Sequence, residues 1–282
     1  MSTDPEVFAQ PLLATEHSEF DVGAERIGFA LARRNGTPLA VVLPMLGNAE
    51  FDAVAPELAA RADDAAAAKL SALRALAAAQ GVKLSVQVRR GSEPYREIVD
   101  EARAQRAGLI VIRRRGRRGL LANLLVGDMV GSVIAHAPCN VLVNGREVRM
   151  WTKRIVAALD PEAPDLGVLA QAARAAVEFN LPLTLAAVAA SDRGEPRKQA
   201  GDALDAAGAR ARALGASVDI QVLCGKAHEQ IVGATHRLGA DLVVLGRHGS
   251  THLSRAFIGG VAQKVIGLAE CPVLVCVSAH SP

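Results

Sequence analysis

The stretch DLVVLGRHGSTHLSRAFIGG, residues 241–260, places glycines where a backbone could meet an anion. An apolar run ends at Gly246, and Gly249 follows within reach of one turn. Gly259 and Gly260 then open GGVAQKVIGLA, whose pattern predicts a helix. Glycine has no Cβ, so Gly246 and Gly249 allow a tight loop whose backbone can approach a ligand closely. Free N–H groups at a helix start, with the helix dipole behind them, attract phosphate. The spacing describes a two-part cradle of one loop and one helix start. The plain alternative is a turn followed by a helix cap.

Other residues with chemical potential carry less. His248 and His252 stand four apart, but no spacing supplies the third ligand that a metal needs. A polar position near phosphate, or a surface position, accounts for them. Ser250, Thr251 and Ser254 are candidate phosphate ligands or modification sites, although loop polarity alone explains them. Cys139, Cys224, Cys271 and Cys276 form no C-x-x-C pair and read as buried, reduced thiols. Neither G-x-S-x-G nor G-x-x-x-x-G-K-[ST] occurs, which removes the nucleophile elbow and the P-loop. The only tyrosine, Tyr95, stands at a helix start in EPYREIV, and packing is a sufficient reason for it.

The elements that must position the cradle appear twice. PLLATEHSEFDVGAERIGFALARRNGTPL resembles RIVAALDPEAPDLGVLAQAARAAVEFNLPL, with Glu16 on Asp160, Gly23 on Gly167 and Pro38 on Pro182. Further on, Ile98 falls on Ile231, Gly116 on Gly249 and Cys139 on Cys271. Within each copy, short apolar runs such as LTLAAV and DLVVLG alternate with Ala-rich segments of helical period. Strands apolar on both faces and separated by helices predict a parallel sheet covered on both sides. The predicted fold is therefore α/β: two tandem doubly wound domains, each with a five-stranded parallel sheet flanked by helices. The boundary is placed between residues 1–148 and 149–282. In such sheets ligands bind beyond the carboxyl ends of strands, where strand order reverses.

Bulk properties exclude some functions. Net charge is +3, with 32 Lys and Arg against 29 Asp and Glu spread through the chain, so no basic excess marks a nucleic-acid binder. No apolar run is long enough to span a membrane, and no signal peptide precedes the first copy, which points to the cytoplasm.

The G-x-x-G spacing, nine further residues, Gly and a small residue, set between an apolar strand and CPVLV, resembles the nucleotide motif of the universal stress protein family. LLATEHSEFDVGA and IVAALDPEAPDLG resemble that family's opening strand and helix start, and the whole chain resembles its tandem form. The resemblance implies ATP binding in a subset of members, pairing through the last strand, and a stress-linked regulatory role without settled catalysis. Asp160 and Val188 then stand where adenine is contacted, and Gly246, His248, Gly249 and Gly259 match the ribose and phosphate segment. The candidate nucleotide-binding residues are Asp160, Val188, Gly246, His248, Gly249, Gly259, Gly260 and Val261, with no metal and no catalytic residue.

Two departures weaken the terminal phosphate contacts. Gly260 and Ala262 replace the hydroxyl residues of the family pattern, which favours AMP or ADP over ATP. The first copy departs further: Glu16 replaces Asp, Arg113 replaces the first glycine, and Asp128 follows Gly127. That copy is expected to have lost standard ATP binding. Its arginines, Arg113, Arg114, Arg115, Arg117 and Arg118, read as a solvated charged loop, with an anion site as the alternative. The expected partners are adenine nucleotide and the other copy of the repeat, within one chain or in a homodimer. A scaffold that binds no nucleotide and a slow ATP hydrolase stand as alternative functions.

Overall fold

The structure, a computed structural model, describes residues 7–47, 54–114, 128–248 and 258–277. In the first repeat the strands are β1 (Pro11–Ala14), β2 (Leu39–Leu46), β3 (Leu84–Gly91), β4 (Leu109–Arg113) and β5 (Asn140–Asn144). Its helices are α1 (Val22–Asn35), α2 (Pro56–Ala79), α3 (Pro94–Ala104) and α4 (Asp128–His136). The second repeat supplies β6 (Ile155–Ala158), β7 (Leu183–Ala189), β8 (Val218–Cys224), β9 (Leu242–Gly246) and β10 (Val273–Cys276). Its helices are α5 (Leu166–Phe179), α6 (Glu195–Ala213), α7 (Ala227–Leu238) and α8 (Gly260–Leu268).

All ten strands join in one sheet of order β3-β2-β1-β4-β5-β10-β9-β6-β7-β8. Within each repeat every pairing is parallel, so the two predicted five-stranded sheets are present. They meet where β5 pairs antiparallel with β10. In that register Leu142 faces Leu274, while Val141 faces Val275 and Val143 faces Val273. Leu142 and Leu274 are equivalent residues of the two repeats, so a pseudo-two-fold axis passes between them. The predicted contact through NVLV and CPVLVCV is thus made inside the chain, which occupies the edges that the last strands would offer to a second chain.

The apolar runs on both faces of the central strands are satisfied by helices on both sides. On one side, α1, α2, α5 and α6 enclose a core running from Phe29 and Leu142 to Leu185 and Leu274. On the other, α3, α4, α7 and α8 enclose a core with Ile110, Val133, Val243 and Val265. The outer strands β3 and β8 are less buried, because a terminal strand has a neighbour on one side only.

The connection between the repeats is also fixed. Trp151, in that connection, is buried against Phe8 and Phe179, with ring centroids 4.8 and 5.1 Å away. The amides of Thr152, Lys153 and Arg154 all donate to the Asp241 carboxylate, at 2.7 to 3.2 Å. One aspartate thereby holds the start of the second repeat to the start of β9.

Candidate functional site

In the second repeat β6 and β9 are neighbours, and the sheet order reverses between them. A cavity of about 700 Å³ opens beyond their carboxyl ends. Asp160 lies two residues past β6, and its Oδ1 accepts the Glu162 amide at 3.0 Å, a local turn that orients the carboxylate. Val188, near the end of β7, lines the same cavity with Ala186. Gly246 ends β9 where space is short: a Cβ there would meet Val168 Cγ2 at 3.2 Å and the His248 carbonyl at 3.3 Å. A side chain there would require these neighbours to give way by a few tenths of an ångström.

The start of α8 also lines the cavity. Gly259 is the N-cap, in extended conformation with φ −63° and ψ 144°, and as a glycine it has no side chain to cap the helix. Its amide donates to the Arg247 carbonyl at 2.9 Å, which ties the helix start to the loop after β9. Gly260 is exposed, with open space where a Cβ would lie. Gly259, Gly260 and Val261 at this helix start line the same cavity as Asp160 and Val188, and the first N–H groups of a helix have no partner within it. Asp160, Val188, Gly246, His248, Gly259, Gly260 and Val261 thus line one cavity. Gly249 lies outside the described residues, as do Ser250, Thr251, His252 and Ser254. Among the described residues no group of His, Cys, Asp and Glu could hold a metal ion.

Residues not singled out in the sequence also line the cavity, two of them on its flanking helices. Lys264 lines the cavity one turn along α8 from Gly260, and the i, i+4 rule gives the signal for it. His228, in the first turn of α7, faces the same space. Burial and the nearby Lys264 ammonium hold His228 below its ordinary pKa, so it is neutral at pH 7. Together they give the cavity a cation and a neutral hydrogen-bonding imidazole beside the start of α8.

The first repeat keeps a cavity in the corresponding place, about 820 Å³, but with other chemistry. Glu16, Tyr95, Met129 and Ser132 line it where the second repeat has Asp160, His228, Val261 and Lys264. Tyr95, at the start of α3, is thus part of the wall of this cavity. Arg113, in the place of Gly246, is 5% exposed. Its Nη2 donates to Glu16 at 2.8 Å, and its Nε lies 3.1 Å from Asp21.

The reading of the arginine run as a solvated loop is corrected for two members. Arg113 is neutralised by two carboxylates at the end of β4. Arg114 donates its Nη1 to the carbonyls of Ile266, Gly267 and Ala269, in the other repeat, at 2.7 to 3.0 Å. Arg113 ends β4 and the Arg114 amide still donates to the Asn144 carbonyl, so these two residues remain within the layers of the fold. Arg115, Arg117, Arg118 and Gly127 lie outside the described residues, as does the Asp128 side chain.

The fold and the cavity define a tandem doubly wound α/β protein with a crevice at the strand switch point. The model of the universal stress protein family matches residues 11–144 and 152–277, and the chain belongs to that family. It is similar to universal stress protein MJ0531 of Methanocaldococcus jannaschii, with 41% identity over 22% of this chain and 36% of the relative. It is also similar to universal stress protein Slr1230 of a Synechocystis species, with 25% identity over 59% of this chain and 56% of the relative. The chain thus spans little more than half the length of the curated relatives it matches, or less. Among solved structures, a universal stress protein from Archaeoglobus fulgidus aligns over 94% of this chain and 95% of its own, with a TM-score of 0.67 and 18% identity. One from Pseudomonas aeruginosa aligns over 96% and 95%, with a TM-score of 0.66 and 19% identity. These likenesses concern the fold.

Proposed function

We propose that the chain is a non-catalytic, stress-linked cytoplasmic regulator that binds one adenine nucleotide in the second repeat, with residues 1–148 and 149–282 as its domains. One observation carries the reading: the start of α8, Lys264, Asp160 and Val188 line one cavity of about 700 Å³. That volume suits a small-molecule ligand. Adenine lies between Asp160 and Val188, with the ribose over Gly246. The phosphate meets the N–H groups of Gly260 and Val261 and the Lys264 ammonium. With no hydroxyl at Gly260, AMP and ADP are favoured over ATP. Two members of the family have been solved in complexes, one with cAMP and one with dAMP, each covering 45% of this chain. The cavity itself carries the reading here.

The test is to denature freshly purified protein and identify any released nucleotide by mass spectrometry. AMP or ADP, at up to one equivalent per chain, is expected. Protein that releases no nucleotide and then takes up neither AMP nor ADP on titration would instead be a scaffold.

A further inference from the structure

Two arginines cross between the repeats in opposite directions. Arg114 follows β4 in the first repeat and grips the end of α8 in the second, through the carbonyls of Ile266, Gly267 and Ala269. Arg247 follows β9 in the second repeat and grips the end of α4 in the first. Its Nη1 donates to the carbonyls of Ile134 and Ala135 at 3.2 and 2.8 Å. Arg114 and Arg247 are equivalent residues of the repeat, and the helices they hold are equivalent too. The last carbonyls of a helix have no partner within it, and a cation there also suits the helix dipole. No basic residue of α8 itself serves its last turn, so Arg114 supplies that charge.

The opposite end of each gripped helix enters a cavity. The first turns of α8 carry Gly260, Val261 and Lys264 into the second cavity, and α4 carries Met129 and Ser132 into the first. A helix of nine residues moves as a rod, because its hydrogen bonds run along its whole length. Arg114 is anchored at its own backbone as well, with its amide donating to the Asn144 carbonyl at 2.6 Å. Arg247 is anchored likewise, with its amide donating to the Cys276 carbonyl and its carbonyl accepting from Gly259.

We propose that Arg114 is a positioning residue for the phosphate end of the second cavity, acting from the other repeat through α8, and that Arg247 does the same for the first cavity through α4. The ligand part rests on the nucleotide reading above. Adenine and ribose contacts come from the ends of β6, β7 and β9, which Arg114 does not touch. Phosphate contacts come from α8, which it does. Arg114 therefore affects selectivity between phosphorylated and unphosphorylated ligands, and not binding in general.

The experiment compares the full-length protein with Arg114→Ala by calorimetry with AMP and adenosine, and by amide hydrogen exchange without ligand. AMP affinity should fall about tenfold, as expected on loss of charge-assisted hydrogen bonds that hold the helix in place, while adenosine affinity is unchanged. Exchange should rise at Gln263 and Lys264, at the cavity end of α8, as well as at its gripped end. Equal losses for AMP and adenosine, or exchange that rises only at residues 267–269, would show a local clamp and overturn the proposal. If the wild type binds neither compound, the nucleotide reading fails and the exchange result still decides the positioning role. Should Arg114→Ala not fold, Arg114→Lys keeps the charge on a shorter side chain whose nitrogen does not reach the position of Nη1 among the three carbonyls. It is expected to change the same readouts in the same direction by less, and no change in either would overturn the proposal.

Discussion

At the scale of single residues, the second cavity concentrates its charge in few side chains. Lys264→Ala should weaken AMP about fivefold and leave adenosine unchanged, as expected for one partly exposed charge–phosphate contact. Equal losses for both compounds in a titration would place Lys264 away from the phosphate. His228 is neutral at pH 7 because burial and Lys264 disfavour its charge. Bound phosphate favours that charge, so binding takes up a proton and AMP affinity should rise as pH falls below 7. His228→Gln should flatten the part of the profile that the ligand's own titration does not explain. Gly260 is exposed, has no positive φ and has room for a Cβ, so Gly260→Ser should fold and raise the ATP-to-AMP affinity ratio several-fold through a new hydroxyl contact. Ala262 is 5% exposed within the apolar core, so a hydroxyl there would be buried and the exposed position is the better probe. Legibility in the sequence follows from distance along the chain. Gly246, Gly259 and Gly260 were readable because their meaning is local. Lys264 was readable in principle, one helical turn from Gly260. The partners of Arg113 and Arg114 were not, because Glu16, Asp21 and Ile266 come close only through the sheet order and the pseudo-two-fold axis.

At the scale of elements, the apolar runs LTLAAV and DLVVLG mark β7 and β9, and GGVAQKVIGLA marks α8. Burial on both faces is what makes a strand read as a continuous apolar run. The outer strand β8, VDIQVLC, alternates more because one side lacks a neighbour. Helix ends are set by particular side chains. Asp165 caps α5, its Oδ1 accepting the amides of Gly167 and Val168 at 2.7 and 3.2 Å. Asp165→Ala should therefore cost about 1 kcal/mol in denaturant unfolding, and an unchanged midpoint would show that the cap contributes nothing. The thiols beside β5 and β10 are shaped by the same layers. Burial pushes Cys139 up to about 12 and Cys271 up to about 11, so both stay protonated and unreactive at pH 8. Mass spectrometry after iodoacetamide treatment should find them unmodified in the folded protein and modified in denaturant.

At the scale of the whole molecule, one ten-stranded sheet carries two crevices of unequal chemistry, related by an axis between Leu142 and Leu274. Duplication explains the equal frames, and the substitutions at a few positions explain the unequal sites. The first cavity has Arg113 paired with Glu16 where the second has Gly246 near Asp160, and Ser132 where the second has Lys264. The connection between the repeats belongs to the core, so Trp151→Ala should cost about 3–5 kcal/mol, and a loss below 1 kcal/mol in chemical unfolding would contradict that view. The asymmetry of the two crevices is tested most directly by the stoichiometry of AMP binding in calorimetry, measured on the wild type, Asp160→Ala and Glu16→Ala. One site per chain is predicted, lost in Asp160→Ala and kept in Glu16→Ala. Two equal sites per chain, or binding that survives Asp160→Ala and disappears with Glu16→Ala, would contradict the account.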